Sequence, residues 1–154
     1  MSARPLEHVS IHANALVIGE TGLLLRGPSG SGKSALSLEL IALARLRGDF
    51  GRLIADDRVL IESRNGRLLA RPHPDIAGMI EARGMGILSL PHESGGVIHG
   101  LVDLTPAASL ARLPEDEALT AGLLDISLPR QWIASENTRA AVLIMNFIQR
   151  LRQN

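Results

Sequence analysis

Eight consecutive residues, Gly27-Pro28-Ser29-Gly30-Ser31-Gly32-Lys33-Ser34, fit the pattern G-x-x-x-x-G-K-[ST] in full. Glycines at this spacing let the backbone curl until successive N–H groups face one phosphate, and a helix N-terminus behind them adds partial positive charge. Lys33 has the reach for the β- and γ-phosphates of a nucleotide, and the Ser34 hydroxyl is of the type that ligates Mg2+. Further on, Asp56 and Asp57 are adjacent, at a place where phosphoryl transfer needs an acid near the metal. Side chains alternate along a strand, so two successive carboxylates at its end point in different directions. One can address the metal or its water while the other addresses a hydroxyl. His12, Glu81 and Arg83 gain no role from composition or spacing alone: a histidine placed like His12 is more often structural, and Glu81 with Arg83 reads as an exposed charge pair.

The elements around these residues are readable in outline. Ile11–Ile18 reads as strand material, Gly19-Glu20-Thr21-Gly22 as a turn, and Leu23-Leu24-Leu25-Arg26 as a buried strand that stops at the glycine loop. Lys33 to Arg47 is the most secure helix, with Leu36, Leu40 and Leu43 at helical spacing and Gly48 beyond its end. Leu53-Ile54-Ala55 is a second short buried strand, ending in Asp56-Asp57. Val59–Glu62 and Leu68–Ala70 flank Arg64-Asn65-Gly66-Arg67, and Asn-Gly between apolar runs is the strongest short hairpin signal. Met85–Leu90, Gly96–Leu104 and Leu123–Leu128 read as strands, and Thr138 to Arg152 as a closing helix. One β–loop–α–β unit followed by hairpins does not suit a doubly wound parallel sheet. The expected class is α/β, with a mixed, largely antiparallel sheet and few helices.

Composition removes several alternatives. At 154 residues the chain has the size of one domain, with 45% hydrophobic and 21% charged residues. Only Phe50, Trp132 and Phe147 are aromatic, too few for a base-stacking platform. Sixteen Lys and Arg balance sixteen Asp and Glu, so no global field draws in nucleic acid or anionic lipid. The absence of Cys excludes disulfides, Cys-ligated zinc and thiolate catalysis and is compatible with a cytoplasmic location. Met1–His12 holds no apolar run, so no signal peptide is expected, and no stretch approaches ~20 uninterrupted apolar residues, the length of a membrane span.

Taken together, the motifs resemble the catalytic domain of the HPr kinase/phosphorylase family, enzymes that phosphorylate and dephosphorylate a serine of the phosphocarrier protein HPr. The resemblance rests on Ile11-His12-Ala13, the loop G-P-S-G-S-G-K-S with His12 lying 21 positions before Lys33, and Leu53-Ile54-Ala55-Asp56-Asp57-Arg58-Val59. It continues through Ile80-Glu81-Ala82-Arg83-Gly84-Met85-Gly86-Ile87, close to the family's E-I-R-G-L-G-I signature, to Met145-Asn146-Phe147 in the last helix. It implies a phosphoenolpyruvate-carboxykinase-like fold, one kinase domain over residues 1–154, and a hexamer.

By the same resemblance, Gly27, Pro28, Ser29, Gly30, Ser31, Gly32, Lys33 and Ser34 bind the nucleotide phosphates, and Ser34 and Glu81 hold Mg2+. His12, Lys33, Asp56 and Asp57 form the catalytic set, the aspartate pair supplying a general base whose member the sequence leaves open. ATP is the donor, an HPr-like carrier the acceptor, and phosphate and pyrophosphate enter the reverse reaction. Gly84 and Gly86 are expected to allow close backbone approach at a site edge. The chain departs from the family's pattern at the Lys33-to-Asp56 segment, lengthened around Leu46–Arg52. It departs again where the family carries a catalytic arginine: here Leu128-Pro129-Arg130-Gln131 and Asn137-Thr138-Arg139 are both partial matches. The family's glycine-rich loop is replaced by His92-Glu93-Ser94-Gly95-Gly96. Two other readings share the P-loop: a small-molecule kinase, and a non-catalytic nucleotide sensor.

Overall fold

Three leucines in a row, Leu23-Leu24-Leu25, are buried on both faces of the pleat, which requires covered surface on both sides of their strand. The computed structural model describes residues 8–111 and 114–153. The residues 1–7, on which most of the signal-peptide expectation falls, lie outside that range. Strands β1 (His8–His12), β2 (Asn14–Ile18), β3 (Thr21–Arg26), β4 (Gly51–Ala55), β5 (Arg58–Arg64) and β6 (Arg67–Pro72) come first, with helix α1 (Lys33–Leu46) between β3 and β4. Then follow β7 (Met79–Ala82), β8 (Gly86–Ser89), β9 (Gly96–Thr105), β10 (Thr120–Leu123), β11 (Ile126–Ala134) and helix α2 (Ala140–Arg152).

The main sheet runs β1-β5-β6-β9-β3-β2-β4, and β9, ten residues long, pairs with two strands on one side: β6 along its first part and β11 along Leu101–Thr105. Among the strand pairs of the described residues, only β3–β9 and β9–β11 are parallel and the rest are antiparallel; a single parallel bridge also joins Leu53 to His92. The mixed, largely antiparallel α/β architecture matches expectation.

Both helices pack on one face of the sheet. Leu36, Leu40 and Ala44 of α1 meet Ile144, Phe147 and Ile148 of α2 around Leu16, Leu23, Leu25 and Val102. The opposite face is closed by the sheet itself, since Val59, Ile61, Leu68 and Ala70 cover Ala15, Leu24 and Leu101. The three parallel strands β3, β9 and β11 therefore end at a common edge, and the glycine loop leaves from it. Among the described residues, no helix is long and apolar enough to cross a membrane.

Four local expectations need correction. Ile11–Ile18 is not one strand: at Ala13 the chain changes partners, β1 pairing with β5 and β2 with β3 and β4, and the Ala13 N–H donates to the Asp57 carbonyl at 3.1 Å. Strand β3 already begins at Thr21, inside the expected turn. Leu123–Leu128 spans a hairpin turn instead of a strand, with Leu124 and Asp125 at positive φ between β10 and β11. The last helix starts at Ala140, two residues after Thr138.

Candidate active site

Gly27 to Gly32 carry the chain from β3 into α1. Gly30 and Gly32 have φ of 82° and 91°, the left-handed region that glycine alone occupies without steric cost. Gly27 is required for space, because a Cβ there would lie 2.7 Å from Ser31 Oγ and 3.0 Å from Leu104 Cβ. Ser31 Oγ is the one buried side-chain polar atom without a hydrogen-bond partner among the described residues. Such an orphan costs about 1–3 kcal/mol, and a hydroxyl held against Gly27 inside a phosphate-type loop is chemically matched to a phosphate oxygen.

Lys33 opens α1. The loop crest at Pro28-Ser29-Gly30 is exposed, yet Lys33 itself is buried, and its Nζ donates to the carbonyls of Gly27 at 2.7 Å and Pro28 at 3.3 Å. Burial lowers its pKa from the ordinary lysine value, an effect partly opposed by the charges of Asp57 and Asp56. The ammonium is thus folded back on its own loop, its donors on two backbone carbonyls.

The two aspartates are separated in environment. Asp56, buried at the end of β4, accepts hydrogen bonds from Ser34 Oγ at 2.6 Å, Asn14 Nδ2 at 2.8 Å and the Glu81 backbone N–H at 3.0 Å. Asp57 has already left the strand at φ 66° and is exposed, with its Oδ1 at 2.7 Å from His12 Nε2. A non-glycine residue in that conformation is uncommon and strained. The carboxylates diverge as the alternation rule suggests, but the cause is this turn, tightened by the Arg58 N–H bonded to the Asp56 carbonyl at 2.7 Å.

Asn14 holds the pair together and was not visible as a functional candidate. Fully buried, it donates to Asp56 and to Ser37 Oγ, and its Oδ1 accepts the Asp57 backbone N–H at 2.9 Å. Its only signal in the sequence is one amide at the head of the otherwise apolar run Asn14-Ala15-Leu16-Val17-Ile18. Asn14→Ala is expected to cost about 1–3 kcal/mol of stability, because it strips a partner from a buried carboxylate, and to lower turnover through a mispositioned Asp57. Thermal melting and turnover on the same preparation check both.

Glu81 lies on the separate β7–β8 hairpin, its backbone fixed to Asp56 and its side chain exposed. The E-A-R-G-M-G stretch therefore runs from the end of β7 through the turn Arg83-Gly84-Met85 into the start of β8. A Cβ at Gly84 or Gly86 would meet nothing within 4 Å, and both have φ of 84°, so turn conformation and not close approach calls for glycine there. Ser34 and Asp56, with Glu81 alongside, offer the hydroxyl and carboxylate oxygens that Mg2+ accepts when phosphates complete its shell.

Of the two partial arginine matches, Arg130 is held inside the fold, stacked on Trp132 at 4.6 Å and 3.4 Å from Asp103, which Arg26 also binds through two hydrogen bonds. Arg139 is exposed at the N-cap of α2, beyond the end of β11 and so at the edge where the glycine loop lies.

A glycine loop feeding a helix, with a carboxylate bonded to the loop's own serine, places the chain among the P-loop nucleotide-binding proteins. The family described as HPr Serine kinase C-terminal domain matches residues 5–151, and the chain belongs to that family. It is 37% identical over 84 residues to the HPr kinase/phosphorylase of Mycoplasma mycoides, covering 54% of this chain and 25% of that protein. To the HPr kinase/phosphorylase of Lactococcus lactis it is 33% identical over 120 residues, covering 77% of this chain and 37% of that protein. The chain thus spans between a quarter and somewhat over a third of the length of these curated relatives. The solved structure of the Hpr(Ser) kinase/phosphatase from Coxiella burnetii superposes with a TM-score of 0.76 at 28% identity, covering 94% of this chain and 97% of that one. The fold is accordingly phosphoenolpyruvate-carboxykinase-like.

Proposed function

We propose that the chain is an ATP-dependent protein kinase that phosphorylates a serine of an HPr-like phosphocarrier and, in reverse, dephosphorylates it with inorganic phosphate. The observation that carries this reading is the split aspartate pair: Asp56 is bonded to Ser34 in the nucleotide loop, while Asp57 stands exposed with His12. A nucleotide sensor has no use for an exposed carboxylate–histidine couple beside the loop; against a small-molecule kinase, which would use the same base, the reading is supported by the E-A-R-G-M-G stretch around Glu81 and by membership of the HPr Serine kinase C-terminal domain family.

In the forward direction the Asp57 carboxylate accepts the proton of the carrier's serine as its Oγ attacks the γ-phosphorus of ATP, and ADP leaves. His12, 2.7 Å away, orients that carboxylate. Lys33 neutralises charge on the β- and γ-oxygens, and the loop N–H groups and Ser31 hold the phosphates. Ser34, Glu81 and Asp56 are the residues to hold Mg2+, which supplies charge neutralisation on the transferred group. In reverse, phosphate attacks the phosphoserine phosphorus, protonated Asp57 returns its proton to the serine oxygen, and pyrophosphate is released. The family resemblance supports extending this reading to a phosphotransferase system of the cytoplasm and to a homo-oligomer.

The test is incubation with ATP, Mg2+ and HPr-type carriers of the same organism, followed by mapping of phosphoserine on the carrier. Phosphate appearing only on a metabolite, or ATP bound without turnover, overturns the reading. For the metal site, Glu81→Gln is expected to raise the Mg2+ concentration required for half-maximal activity by more than it weakens nucleotide binding. A Mg2+ titration that does not move assigns Glu81 to the surface of the hairpin alone.

A further inference from the structure

The outward face of β1, β5 and β6 is unusually one-signed for a chain whose charges balance to zero. Val59, Ile61, Leu68 and Ala70 point into the core, so by the two-residue alternation Arg58, Leu60, Glu62 and Arg64 face outward on β5, and Arg67, Leu69 and Arg71 on β6. All four arginines are exposed, and the only carboxylate on that face of the three strands, Glu62, is itself buried. Glu62 lies 3.8 Å from Arg64, whereas Arg58, Arg67 and Arg71 form no ion pair among the described residues. Arg64 and Arg67 are directly opposite one another across the hairpin, an arrangement that is destabilising by itself. The face is continuous with the active centre, since Arg58 pairs in register with His12, the partner of Asp57.

We propose that this arginine face is the docking surface for the acceptor protein, and that the acceptor presents an acidic patch beside its target serine. The inference rests on the protein-kinase reading above and adds where and by what chemistry the acceptor is held. Fixed cations bordering a catalytic carboxylate attract and orient an anionic partner, raising its association rate and setting register. Leu60 and Leu69, half-buried among the arginines, give the contact an apolar centre. A nucleic acid is the less suited occupant, because the face carries no Phe, Tyr or Trp, and its outward rings, His8 and His12, lie on the edge strand, His12 bonded to Asp57.

The experiment uses the full chain and a fluorescently labelled HPr-type carrier of the same organism, with binding read by anisotropy at about 20 mM and about 200 mM salt, a range over which surface charges pass from weakly to strongly screened. Wild-type binding is expected to weaken with salt. Arg64→Glu/Arg71→Glu, which leaves Arg58 and the catalytic centre untouched, is expected to bind the carrier about tenfold or more weakly at low salt and to lose most of the salt dependence. Its affinity for a fluorescent ATP analogue and its melting temperature stay unchanged, which shows that the variant is folded. Exchange of carrier Asp or Glu residues near the serine for Lys is expected to restore binding to the double variant. Unchanged carrier affinity in a folded double variant overturns the proposal, as does carrier binding insensitive to salt, or tight oligonucleotide binding that the variant loses. Because binding is measured without turnover, absent phosphorylation with salt-sensitive carrier binding counts against the kinase reading and not against this surface.

Discussion

Asp57→Asn is expected to lower phosphoryl transfer to a carrier serine by ~10²–10⁴-fold, the usual contribution of a positioned base, with nucleotide affinity little changed. A serine hydroxyl is a poor nucleophile unless its proton is taken as the new bond forms, and Asp57 is the exposed member of the pair. It is free of the loop, fixed by the Asn14 contact to its backbone and by His12 at its oxygen. Asparagine preserves size and most hydrogen bonding and removes the charge. Asp56→Asn should behave differently: its carboxylate accepts three bonds, one from Ser34, so the substitution disturbs nucleotide and metal binding together with stability. Steady-state transfer alongside direct ATP binding separates the two. Equal losses of ATP affinity in both variants would contradict the division of labour.

Lys33→Met is expected to cost ~10²–10³-fold in transfer, the scale for removing one preorganised group that faces developing charge. Methionine fills the buried stem while removing the ammonium, so the loss reports charge and not a cavity. Two carbonyls, of Gly27 and Pro28, lose a donor in the free protein, so a modest fall in melting temperature accompanies the loss. Near-native turnover by a folded Lys33→Met protein would reject the loop as the phosphate clamp. The assay is carrier phosphorylation at saturating ATP, which keeps weakened binding from masquerading as slowed chemistry.

What the sequence made legible were features whose cause is local. The glycine loop, α1, and the Asn65-Gly66 hairpin each follow from a few adjacent residues, and the structure places all three as expected. The features that escaped depend on distant partners. The break at Ala13 exists because Asp57, 44 positions on, supplies the carbonyl that receives its N–H, and nothing within Ile11–Ile18 announces it. Asn14 acts through Ser37, Asp56 and Asp57, a set that only the folded sheet assembles. Leu124, a residue that rarely adopts positive φ, carried no turn signal and so hid the β10–β11 hairpin. Which member of Asp56-Asp57 stays exposed was open in the sequence, because it depends on the backbone turning to φ 66° at Asp57.

The most direct test of the central claim follows a single label through both directions of the reaction. Purified protein, Mg2+ and γ-labelled ATP are mixed with an HPr-type carrier of the same organism, ATP is then removed, and excess inorganic phosphate is added. The account predicts that label enters the carrier as phosphoserine and afterwards leaves as labelled pyrophosphate, and that Asp57→Asn suppresses both phases together, since the group that accepts the proton forward must return it backward. Label that never reaches a carrier serine contradicts the kinase reading, and an Asp57→Asn protein that loses only one of the two phases contradicts the assignment of a single carboxylate to both.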